Sequence, residues 1–72
     1  MILAVDSRTG QRMLTSSEQV VLARLLQGES NKEIASALGK AEATVKHQVS
    51  SILRKHGVPS RARLIASLNG RL

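Results

Sequence analysis

Seventy-two residues with a formal net charge of +6 make one small domain at most, and the chain has no Cys, so neither a disulfide nor a thiolate zinc site staples it. Trp, Tyr and Phe are also absent, which argues against an RRM and against single-strand nucleic-acid binding on aromatic stacking platforms. No apolar run approaches the roughly 18 residues of a membrane span, and Met1 to Val5 is too short, and lacks the basic start, for a signal peptide.

Residues 1–13 read as a linker or disordered arm. Ile2, Leu3 and Val5 suit a short strand or packing on the domain, and Asp6 to Gly10 is turn-like. The structured domain is expected over 14–72. Thr15-Ser16-Ser17-Glu18 spells a capping box. Helix one then runs to about Gln27, with Val21, Leu22, Leu25 and Leu26 as its apolar stripe and Gly28 as its stop. Leu14 sits where a hydrophobic staple begins, but its partner position holds Gln19, so Leu14 is free to reach the core instead. Ser30-Asn31-Lys32-Glu33 is a second capping box, opening a short helix two from Asn31 to Leu38 with Ile34, Ala35 and Leu38 inward. Gly39-Lys40-Ala41 leads into helix three, Glu42 to Gly57. A short helix, a three-residue turn containing Gly and a longer helix make a helix-turn-helix arrangement. Ala41 stands at the N-cap of helix three, where Ser, Thr, Asp or Asn is preferred. Val58-Pro59 forces an extended exit, and Ser60 caps helix four from Arg61 to about Leu68. Its stripe is Ala62, Ile65 and either Leu68 or Leu64, and Asn69-Gly70 stops it.

Helix three is the stretch around which the chain is organised. On a helical wheel Val45, Val49, Ile52, Leu53 and His56 gather on one side. Ala43, His47, Ser50, Ser51 and Arg54 occupy the other, with Lys46 and Lys55 flanking it, and no acid follows Glu42. Ordinary solvated faces mix charge signs. One cleared of acids suits an anionic partner, and the major groove of DNA admits one α-helix. Charge placement agrees. Residues 1–39 balance four bases against four acids, whereas 40–72 carry seven bases against Glu42 alone. A basic end is the footprint of a polyanion.

From Leu14 to about Leu68 the chain resembles the LuxR-type (NarL/FixJ-type) helix-turn-helix domain. The matching text is L-T-x-x-E at Leu14 to Glu18, V-L-x-x-L-L-x-G at Val21 to Gly28, S-N-K-E-I-A at Ser30 to Ala35, and L-G at Leu38. T-V-K at Thr44 to Lys46, I-L-R-K-x-G-V at Ile52 to Val58, and Ser60-Arg61 complete it. The resemblance implies an all-α, four-helix domain with helix three as recognition helix. It also implies a transcription regulator that binds as a dimer, with helix four as dimer contact through Leu64, Ile65 and Leu68. Three positions depart from the family text. Ala41 replaces the usual cap Ser, Gln48 stands where a His is usual with His47 one place earlier, and His56 replaces a Leu or Met.

With that resemblance, Lys46, His47 and Ser50 are the expected base-contacting residues, since Lys bonds guanine acceptors and Ser is permissive. Asn31, Lys32, Thr44, Arg54, Lys55 and Arg61 are the expected phosphate contacts. Asn31 and Lys32 qualify because free amides and the dipole at a helix N-terminus suit an anion. Ser30 and Glu33 are read as caps, and His56 as a packed histidine at a helix end. His47 and His56 fall on opposite faces and do not converge on a metal. Paired carboxylates, a nucleophile with its base and a Gly-rich phosphate loop are all missing, so neither an enzyme nor a cofactor is expected.

The expected function is sequence-specific double-stranded DNA binding by a bacterial-type transcription regulator with helix three in the major groove. The chain would be the C-terminal output domain of a response regulator or a small stand-alone regulator. It would be cytoplasmic, homodimeric on DNA, with RNA polymerase as a further candidate partner and no membrane. The competing reading is a small helical bundle whose basic face binds an acidic protein.

Overall fold

The computed structural model describes residues 5–6 and 11–69, with side chains from 13 to 68. Among the described residues four helices carry the fold: α1 (Ser16–Leu26), α2 (Asn31–Leu38), α3 (Glu42–His56) and α4 (Arg61–Asn69). Both capping boxes close as the sequence predicts. The Thr15 hydroxyl accepts from the Glu18 amide at 3.0 Å, and the Thr15 amide donates to Glu18 at 2.9 Å. Ser30 and Glu33 repeat the exchange at 3.1 and 2.7 Å. The two ends that frame α3 are set by glycines in the left-handed region, Gly39 at φ 66° and Gly57 at φ 67°. A Cβ at Gly39 would meet nothing within 4 Å, so glycine is needed there for its backbone, not for space.

Ala41, by contrast, makes no side-chain cap bond, although its backbone (φ −70°, ψ 144°) already has the extended geometry of an N-cap. Ala41→Ser should therefore stabilise the domain by about 1 kcal/mol. Urea unfolding checks it, with the midpoint rising at unchanged slope.

The core consists of Val21, Leu25, Ile34, Ala35, Val45, Val49, Ile52 and Leu64, with Leu14, Leu22, Leu26, Leu38, Leu53, Val58, Ile65 and Leu68 packed around it. Leu14 reaches the core, as its imperfect staple allowed. α3 touches all three other helices, which is why its inner face is dry along its length. Leu64 is completely buried. That corrects one expectation: a side chain with no exposed surface has nothing to give a dimer contact, and only the half-buried Ile65 and Leu68 keep any. Ala62, expected on the α4 stripe, is exposed instead.

Of the expected arm over 1–13, residues 1–4 and 7–10 lie outside the described residues, as does Gly70. Within that arm the structure holds two short strands, β1 (Val5–Asp6) and β2 (Gln11–Arg12). They pair antiparallel, Val5 opposite Arg12 and Asp6 opposite Gln11, and β2 runs beside α3. The described residues of this stretch are two paired strands within the segment that the sequence reads as a linker or disordered arm. Among the described residues no helix is long and apolar enough to cross a membrane.

Candidate nucleic-acid interface

Fifteen residues give α3 a length of roughly 22 Å. Val45, Val49 and Ile52 are buried on its inner face. On the outer face Ala43, Thr44, Lys46, His47, Ser50 and Arg54 are all exposed. Among the described residues, no side-chain hydrogen bond or ion pair engages Lys46, His47, Ser50 or Arg54. A rod about 10–12 Å across fits a groove about 12 Å wide. The surface it would present is cationic and polar along its middle, with Glu42 alone at its start.

Two residues of the expected outer surface belong elsewhere. Ser51 and Lys55 turn toward α1. The Ser51 hydroxyl donates to one Glu18 oxygen at 2.7 Å, and the Lys55 ammonium to the other at 2.7 Å. Lys55 and Glu18 form an ion pair with side chains only 17% and 8% exposed. The expected phosphate contact of Lys55 is thereby corrected, because its charge is spent on a buried carboxylate. Burial by itself pushes the Glu18 carboxyl up. Hydrogen bonds from Lys55, the Thr15 amide and Ser51, together with the Lys55 charge, outweigh that and bring its pKa down from 4.5 to about 2.

Arg61 also has an internal role. At the start of α4 its guanidinium donates to the Asn31 side-chain oxygen at 2.8 Å and to the Glu29 carbonyl. It ties α4 to the N-terminus of α2, and both Arg61 and Asn31 are half-buried by the arrangement. Lys32, next to Asn31, remains exposed. Arg24 and Glu29 pair at 3.1 Å across the α1–α2 turn. His56 is half-buried at the end of α3, on the face opposite the exposed His47.

A third polar cluster escaped the sequence reading. Lys40, half-buried in the α2–α3 turn, donates to Ser17 at 2.7 Å and to Gln48 at 3.2 Å, and the Gln48 amide donates to Ser17 at 2.8 Å. The available signal was positional. Gln48, Ser51 and Lys55 lie at i, i+3 and i+7, a single polar flank between the inner and outer faces.

The geometry is that of a helix held on its inside by apolar packing and on one flank by polar bonds, with its outside left open. The sequence pattern described as "Bacterial regulatory proteins, luxR family" matches residues 12–68. The chain belongs to that family. Among curated relatives it is 52% identical over 54 residues to the glycerol metabolism activator of Pseudomonas putida, covering 75% of this chain and 24% of the relative. It is 51% identical over 49 residues to the nitrate/nitrite response regulator protein NarP of Escherichia coli (strain K12), covering 68% and 23%. To the spore germination protein GerE of Bacillus subtilis (strain 168) it is 38% identical over 56 residues, covering 78% and 76%. The chain thus spans about a quarter of the first two relatives and about three quarters of the third. No solved structure gives a significant match. The family is described by regulation and not by a catalysed reaction, and the four helices are the architecture expected of a LuxR-type helix-turn-helix domain.

Proposed function

We propose that this luxR-family chain is a sequence-specific double-stranded DNA-binding domain that places α3 in the major groove. The observation that carries this reading is the exposed, acid-free outer face of α3, where Lys46, His47, Ser50 and Arg54 are committed to nothing else among the described residues. Lys46, His47 and Ser50 read base edges. Asn31, Lys32, Thr44 and Arg54 meet phosphates and set the register. Arg61 and Lys55 act one step back, holding α4 and α3 in place. Two copies pair on DNA through the remaining surface of α4 around Ile65 and Leu68, on half-sites about one helical turn apart. The domain works in the cytoplasm as the output part of a response regulator or as a small stand-alone regulator. Relatives of both proportions support the reading, and RNA polymerase is the candidate further partner.

Selection of bound oligonucleotides from a random duplex pool tests it, with a consensus expected and its absence ruling the reading out. Two variants sharpen the test. Lys46→Ala should cost about 1–3 kcal/mol on the selected duplex and relax preference at one base position. Lys32→Ala should weaken all duplexes alike and lower the slope of log affinity against log salt by about 1. Equal losses on selected and random DNA for Lys46→Ala would remove Lys46 from base reading.

A further inference from the structure

α3 begins without a side-chain cap, yet its outer face has to be held at one azimuth for base reading. Base-edge hydrogen bonds tolerate donor–acceptor distances of about 2.7–3.2 Å. Side-chain tips lie about 6 Å from a helix axis, so a roll of about 10° moves each by about 1 Å. That is enough to break a bond. Apolar packing alone is a weak guard against such a roll, since hydrophobic burial is non-directional.

The Ser17–Lys40–Gln48 triangle supplies the missing direction. Its members come from three segments: the first turn of α1, the turn before α3, and the second turn of α3 itself. All three sides are bonded, at 2.7, 3.2 and 2.8 Å. Ammonium and amide nitrogens only donate. The Ser17 oxygen therefore accepts from both Lys40 and Gln48, and the Gln48 carbonyl accepts from Lys40. Each position along the triangle has a determined donor and acceptor. Gln48 directly follows His47 and stands two residues before Ser50, so whatever holds Gln48 holds those two. One and two turns further along the same flank, Glu18 holds Ser51 and Lys55. Two polar anchors separated along a rod determine its roll, where one would leave it free to pivot.

We infer that Ser17, Lys40 and Gln48 are positioning residues for recognition: they set the azimuth of the N-terminal half of α3 and so determine sequence discrimination without touching a base. The inference rests on the DNA-binding reading above. It takes Ser17 and Gln48 as the informative positions, because neither carries charge and Ser17 is exposed.

The test compares the 72-residue chain with Ser17→Ala, Gln48→Ala, their double variant and Ser17→Thr, on the best selected duplex and on random duplex of equal length. Each single Ala variant should lower the ratio of the two affinities about five- to tenfold, the scale of one lost hydrogen bond. The double variant should lose less than the sum of the two singles, since the Ser17–Gln48 side is already broken in each. The salt slope should not move, because no charge is removed. Ser17→Thr, which keeps the hydroxyl, should restore the ratio. A wild-type chain that selects and Ala variants that select equally well overturn this inference alone. So does a fall in the ratio that Ser17→Thr fails to restore, or one that only tracks a fallen thermal midpoint. A wild-type chain that selects no sequence overturns the DNA-binding reading, and this inference with it.

Discussion

Ile52→Ala should leave the domain largely unfolded at 37 °C. Ile52 is completely buried on the inner face of α3, which packs on all three other helices. Truncating a buried Ile to Ala costs about 2–5 kcal/mol, the lost transfer energy plus a cavity the surroundings only partly fill. A core of this size typically supplies only about 3–5 kcal/mol in total, and no disulfide compensates. At about 4–8 °C per kcal/mol, a middling loss of about 3 kcal/mol lowers the thermal midpoint by about 12–24 °C. Circular dichroism melts check this. A fall under about 5 °C would mean that the inner face of α3 is not where the core lies. His47→Ala, on the opposite and exposed face, should stay within about 0.5 kcal/mol of wild type. The contrast between the two variants separates the packed side of α3 from the open one.

Glu18→Gln should destabilise the domain at neutral pH, and the deficit should vanish in acid. Gln keeps an oxygen for the Thr15 amide, so the cap survives, but the charge facing Lys55 is lost. The Glu18 carboxyl titrates near 2 in the folded state, below its ordinary 4.5. Between those values the unfolded chain binds the extra proton. Stability from this group is therefore complete above about 4.5 and drains away as pH falls toward 2. At about 1.4 kcal/mol per tenfold change in proton affinity, the contribution is on the order of 3 kcal/mol at pH 7. Urea unfolding of both proteins from pH 7 to pH 2 reads it directly. Parallel curves across that range would show that the Glu18–Lys55 pair contributes nothing through its charge.

The same pair marks where one-dimensional reading stops. Val45, Val49 and Ile52 are visible as core from spacing alone, because a stripe at i, i+4 and i+7 must be covered by something. The capping boxes at Thr15 and Ser30 are equally legible, since partner and acceptor lie three residues apart in the chain. So are Gly39 and Gly57, where the chain ends one helix and needs a left-handed residue to do so. Ser51 and Lys55 are different. Their spacing says only that they are polar and lie on a flank. Glu18, which claims both, is more than thirty residues away, and no periodicity announces it.

Local order therefore belonged to the sequence by itself: four helices, their ends, the inner stripe of α3 and an outer face cleared of acids. Those follow from bonds and spacings within a turn or two. Which flank of α3 meets α1, which of its cations remain for a partner, and that Leu64 turns inward were decided only by tertiary packing. The reason is that a side chain's charge or surface is available only if no distant segment has already taken it, and helices meet at angles that their separate sequences do not encode.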